Sequence, residues 1–161
     1  MFYYVEGNPK KVVSPDVMVV RGVGKEKRRV YKLWEEERVP EVVIEISSRK
    51  TWGDDLQKKW RLYEQLGVAE YYIFDPEYDY LAEPFMAYRL SEGELTQVEL
   101  TDGRIHSPAL GLDFVDTGAT LRLFNPTAQT FLLTPDEEHA ARLAAEAEIV
   151  RLREELGKLR K

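Results

Sequence analysis

Few residues in this chain can do chemistry, and three of them ask to be read together: Asp16, Glu45 and Lys59. Glu45 stands inside Pro40 to Ser48, PEVVIEISS, a β-branched apolar run bounded by a proline and two serines, which reads as a buried strand. Side chains alternate along a strand, so Val43 and Glu45 share one face while Val42, Ile44 and Ile46 share the other. A carboxylate is therefore aimed where an aliphatic side chain is expected. An unpaired buried charge costs on the order of several kcal/mol, so Glu45 has to be paired, metal-bound or protonated. Asp16 and Lys59 offer the two kinds of partner. Carboxylates converging on an oxygen-bound magnesium ion, with a lysine that orients water or offsets charge developing on phosphate, make up the equipment of phosphodiester hydrolysis. The same residue types also make a purely structural arrangement, in which Glu45 pairs with Lys59 and Asp16 is a turn residue behind Pro15; type and spacing leave both open.

Composition narrows the chemistry. The 161 residues contain no cysteine, which excludes disulfides, thiolate catalysis and Cys-based zinc or iron–sulfur sites. His106 and His139 are the only imidazoles, too few for a His-ligated zinc site, so a metal here would sit on oxygen and be magnesium or manganese. The net charge of −6 opposes nucleic acid as a partner, but it is unevenly spread. Residues 1 to 74 carry 14 Lys and Arg against 12 Asp and Glu, residues 75 to 133 carry 3 against 10, and residues 134 to 161 carry 6 against 7. Only the first part does not repel a polyanion, and its cations cluster at Lys25 to Lys32, at Arg49 and Lys50, and at Lys58 to Arg61. No stretch has the length and apolarity of a membrane span or a secretory signal, so a cytoplasmic protein with no membrane partner is expected.

The elements that must position these residues follow from pattern. MFYYVEGNPKK reads as an edge strand ending in the turn Gly7-Asn8-Pro9, and a strand is expected at or just after Pro15. Gly22 to Lys32 is a basic loop. The spacing predicts an amphipathic helix over Asp54 to Leu66, opened by Thr51 as cap and stopped by Gly67, with Leu56, Lys59 or Trp60, Tyr63 and Leu66 on one stripe. Val68 to Asp75 is the next strand, which makes a strand–helix–strand unit with parallel neighbours. Runs near Phe85 to Leu90, Leu95 to Leu100, Leu112 to Val115 and Leu121 to Phe124 read as a meander closing one side of the sheet. The fold class is thus α/β, a mixed central sheet flanked by helices over residues 1–133, with a C-terminal amphipathic helix over 134–161. Thr134-Pro135-Asp136-Glu137 opens that helix, and Ala145, Ile149, Leu152, Leu156 and Leu159 form a heptad seam of about two and a half repeats. The seam suits either packing on the chain's own domain or self-association.

Taken in order, Pro15-Asp16, Glu45-Ile46-Ser47-Ser48, Asp55, Lys59, Tyr63, Gly67-Val68, Glu70-Tyr71-Tyr72-Ile73-Phe74-Asp75 and the later SPALG of Ser107 to Gly111 resemble a known pattern, that of the putative restriction endonuclease family within the PD-(D/E)XK nuclease superfamily. The likeness spans roughly residues 3 to 135. It implies a restriction endonuclease-like fold, magnesium (or manganese) as cofactor, DNA as substrate and a homodimer. It further implies Asp16 and Glu45 as metal ligands with the Ile46 carbonyl as a third, and Asp16, Glu45 and Lys59 as the catalytic set. In the superfamily the lysine follows the second acid on the same strand; here that position is Ser47, which makes Lys59 on the helix the candidate. Asp55, Tyr63 and Ser48 would stand behind these and position ligands or water, unless Asp55 caps the helix and Tyr63 fills the core. Arg49, Lys50 and Lys58 would contact DNA phosphates, Arg49 occupying a place where the family commonly turns with proline. Relatives usually carry a helix and further strands ahead of the MFYYVEGNP stretch, and this sequence reads as lacking that segment. The competing reading is a catalytically silent nuclease-fold protein that binds nucleic acid or another protein.

Overall fold

The computed structural model describes residues 1–118 and 120–159. Its centre is a five-stranded mixed sheet of β3 (Val17–Val19), β5 (Val42–Ile46), β6 (Glu70–Phe74), β7 (Phe85–Ser91) and β8 (Glu94–Val98), in that spatial order. The β5–β6 pair is parallel, as the strand–helix–strand pattern requires, with Val42 opposite Glu70 and Glu45 opposite Ile73; the other pairs are antiparallel. Val43, Tyr71 and Ile73 on one face pack with Tyr63 and Val68, and with the half-buried Leu56, Trp60 and Leu66. Val42, Tyr72, Phe74 and Phe85 on the other face pack with Phe114.

The connection from β5 to β6 is helical but not uniform. Helix α2 (Trp52–Asp54) runs into a π-helical turn (Asp55–Lys59) and then into α3 (Trp60–Leu66). Gly67 ends it at φ 80°, the left-handed conformation that glycine adopts without strain, and its N–H bonds the Glu64 carbonyl. Thr51 does not cap. Its own backbone is already helical (φ −111°, ψ −23°), so its hydroxyl cannot reach forward along the helix and instead accepts the Ser48 N–H at 3.0 Å.

The acidic second half does not form one meander. β7 and β8 extend the main sheet, whereas β9 (Arg104–Ser107), β10 (Leu112–Asp116), β11 (Leu121–Asn125) and β12 (Thr130–Phe131) form a second sheet in the order β12-β11-β10-β9. Burial is the reason for the split. Phe114 of β10 lays its ring 4.4 Å from Tyr72 and 6.2 Å from Phe85, covering the main sheet face-on, which a strand within that sheet could not do. The helical segment therefore covers one face of the main sheet and the second sheet covers the other. Buried Glu70 at the start of β6 ties the two together: it accepts the Tyr72 hydroxyl at 2.8 Å, the Ala109 N–H at 2.9 Å and the Ser107 hydroxyl.

The opening strand is not at an edge either. β1 (Phe2–Tyr3) lies between β2 (Val12–Val13) and β4 (Tyr31–Lys32) in a small third sheet, because the buried Phe2 ring needs Tyr31, 5.6 Å away, on one side and the β2 hairpin on the other. The short α1 (Leu33–Glu36) follows β4. At the C-terminus, α4 (Pro135–Leu159) begins with the expected reciprocal cap: the Glu137 N–H bonds Thr134 Oγ1 at 3.2 Å and Glu137 Oε2 accepts the Thr134 N–H at 2.8 Å. Every side chain from Pro135 to Lys158 is exposed. Among the described residues no helix is long and apolar enough to cross a membrane.

Candidate active site

Strand alternation puts Glu45 under the helical segment, where it is completely buried. Both its oxygens are engaged. The Tyr63 hydroxyl donates to Oε1 at 2.6 Å and the Lys59 ammonium donates to Oε2 at 2.8 Å. Asp55, Lys59 and Tyr63 recur every four residues and so share the helix face turned to β5. Asp55 is also fully buried: Oδ2 accepts the Ser47 hydroxyl at 2.9 Å, and Oδ1 lies 2.8 Å from Lys59 Nζ. That second contact is an ion pair, and Asp55 Oδ1 has no further partner within the protein among the described residues. The Tyr71 hydroxyl donates to the Asp55 backbone carbonyl at 3.0 Å and so ties the first residue of the π-helical turn to β6. Turns of this kind concentrate at functional sites.

Asp16 comes from the neighbouring strand. β3 places Val17 opposite Ile44, and one further step of that register brings Asp16 opposite Glu45. The Asp16 side chain is exposed and its Oδ2 accepts the Ile46 N–H at 2.8 Å, which clips it to the C-terminal end of β5.

The electrostatics follow from burial. Desolvation raises the Glu45 pKa above the ordinary carboxylate value, against the opposing pull of Lys59 and Tyr63. Desolvation alone would lower Lys59, but its contacts with Asp55 and Glu45 outweigh it and hold the ammonium above its usual value. Burial and the adjacent Glu45 push the Tyr63 phenol strongly upward, so it acts as a neutral donor. Two buried carboxylates thus share one ammonium. Tyr63→Phe is expected to cost about 1–3 kcal/mol in urea unfolding at neutral pH, because it strips Glu45 Oε1 of its donor while keeping the ring packed.

The chemistry of the donors suits a divalent ion: they are hard oxygens, and each Glu45 oxygen keeps a lone pair beyond the one bonded to Lys59 or Tyr63. Among the described residues no three Asp, Glu, His or Cys side chains are grouped to hold a metal.

The remaining candidates lie around this centre. Ser48 bonds Thr51 rather than the carboxylates; the serine at the cluster is Ser47. Arg49 and Lys50 are exposed in the loop after β5, and Lys58 points outward and pairs with Asp54 at 2.8 Å. The basic loop is partly neutralised, since Arg28 pairs with Glu26 and Glu36 and Lys32 pairs with Glu35. Sequence reasoning missed the roles of Ser47 and Tyr71. The alternation that exposed Glu45 was the signal for both: Ser47 continues its face of β5, and Tyr71 presents the same face from β6 opposite Val43.

The Uma2 family model, described as "Putative restriction endonuclease", matches residues 2–122. No curated protein matches the chain. The matched span takes in Asp16, Glu45, Ser47, Asp55, Lys59, Tyr63 and Tyr71, every residue of the network just described, and covers most of the chain: this protein belongs to the Uma2 family of putative restriction endonucleases.

Proposed function

We propose that this protein is a magnesium-dependent DNA endonuclease that hydrolyses phosphodiester bonds. The observation that carries the reading is the junction of Glu45, Lys59 and Asp55 in one buried network, with Asp16 clipped to the end of the same strand. Asp16, Glu45 and the Ile46 carbonyl would hold the ion, with manganese as a substitute. When bound, such an ion supplies Lewis acidity toward phosphate oxygen and toward water. The rest is the work of the chain. Lys59, kept protonated by its two carboxylates, offers N–H donors to a phosphate oxygen or an attacking water; Asp55, steadied by Ser47, holds the lysine; Tyr63 holds Glu45. Arg49, Lys50 and Lys58, exposed beside the network, would take the DNA backbone as point charges.

Incubation with supercoiled plasmid and magnesium is the direct test. Wild-type protein is expected to nick or linearise it, EDTA to stop the reaction, and Glu45→Ala to be silent; equal cleavage by wild type and variant, or by neither across varied DNAs, overturns the proposal. One observation favours the second reading, a catalytically silent nuclease fold that serves as a nucleic-acid or protein binding module: both oxygens of Glu45 are already bonded within the protein. That reading expects magnesium titration to show no binding that Asp16→Asn removes.

A further inference from the structure

The C-terminal helix cannot be explained by its own domain. A helix gains most of its stability in a protein from burying an apolar face, yet every α4 side chain from Pro135 to Lys158 is exposed: Ile149 is 49% exposed, Leu152 45% and Leu156 57%. Its first turn is tied down by the cap and by Arg122 on Glu137 at 2.9 Å, while the turns beyond run free of the sheets. The seam has a register. Ala145 and Leu152 take d positions and Ile149 and Leu156 take a positions, so the central pair, Ile149 at a with Leu152 at d, is the combination that favours two parallel strands.

The flanking charges select the same partner. Glu148 falls at g and Arg153 at e of the following heptad, the two positions that face each other across a parallel two-stranded coiled coil. In an antiparallel pair g faces g, which sets Glu148 and Glu155 against their own kind. Within its own helix Glu148 meets Arg151 at 2.7 Å, while Arg153 has no ion-pair partner among the described residues. Leu143 and Val150 stand at b, on the e-side flank and outside the two-stranded seam. We infer that α4 is a docking face for a second copy of this chain, forming a parallel, in-register two-stranded coiled coil in which Ile149, Leu152 and Leu156 meet their own counterparts and Glu148 pairs with Arg153 of the other copy.

The absence of cysteine makes the test simple. Light scattering behind size exclusion, across the micromolar range, is expected to give two chains for the 161-residue protein. Single-cysteine variants then read orientation: Ala145→Cys, at d, should oxidise to a disulfide-linked dimer, whereas Ala147→Cys, at f on the outer face, should not. Charge is tested by exchange. Glu148→Arg should shift the dimer toward monomer by setting two arginines together, and Glu148→Arg with Arg153→Glu should restore it. Because α4 touches no core, these variants should keep the thermal transition of the domain. A single-chain mass throughout the range overturns the inference, as does a mass above two chains. Equal cross-linking of the two cysteine variants, or a double exchange no better than Glu148→Arg alone, overturns the parallel register.

Discussion

Lys59→Met is expected to destabilise the fold by about 3–5 kcal/mol at neutral pH, the usual cost of stripping a buried ion pair of one partner. Among the described residues Lys59 is the only cation paired with the two fully buried carboxylates, and methionine keeps most of its volume while removing the charge. The deficit should depend on pH with a definite sign. Burial already raises Glu45 above its reference value of 4.5, and loss of the ammonium that opposes the rise must lift it further. A carboxyl whose pKa is higher in the fold than in the unfolded chain keeps more protons when folded. Stability therefore falls as pH climbs from about 4.5 through the raised value, and returns as pH drops through the same window. Urea unfolding of wild type and variant at acid and neutral pH measures it; a deficit of the same size at both would show that the lysine acts through its methylenes and not its charge. Lys59→Arg, which keeps the charge, should retain most of the stability. In the wild type, the raised Lys59 value adds a contribution that is complete below pH 10.5 and is lost as pH rises through the folded pKa.

Much of this centre is legible in the amino-acid sequence because two periods position it. A step of two along PEVVIEISS points Glu45 inward, and a step of four along the next helix sets Lys59 and Tyr63 on the face that meets it. The cap of α4, the glycine stop and the parallel pairing of β5 with β6 are equally local and equally legible. What escapes is decided at a distance. The π-helical turn has no signature in residues 55–59; it goes with the anchoring of the Asp55 carbonyl by Tyr71, sixteen residues on. Asp55 reads as a capping residue because acids favour first turns, and only the tertiary structure brings Ser47 and Lys59 around it. The turn at Thr101 to Arg104 looks like any other hairpin, so the passage from one sheet to a second cannot be told from a continued meander without the packing of Phe114 across Tyr72. The heptad seam is plain in sequence, but a period says that a face is apolar and not what covers it.

Glu45→Gln should separate catalysis from folding. Glutamine keeps the shape of the side chain and its carbonyl can accept the Tyr63 hydroxyl, while Lys59 remains 2.8 Å from Asp55 and the buried charges become one against one. Losing the desolvation cost of an ionised Glu45 offsets part of losing its contact with the lysine, but the new amide N–H group faces the Lys59 ammonium as a second donor and turns it wholly to Asp55, so unfolding free energy is expected to fall by about 1–2 kcal/mol. Activity should not survive as well. A neutral amide is a poor ligand for a hard dication and leaves Lys59 without the second carboxylate that keeps it protonated, so plasmid cleavage is expected to fall by about 10²–10³-fold, the scale seen when one preorganised electrostatic group is removed. The pair of readouts divides the readings cleanly. A stable, inactive variant supports the nuclease; a variant that loses several kcal/mol with cleavage by the surviving folded fraction unchanged makes Glu45 and Lys59 a structural ion pair and moves the chemistry elsewhere. Calorimetric titration of magnesium adds the decisive comparison, because only the catalytic reading requires Glu45→Gln and Asp16→Asn to weaken the same binding event.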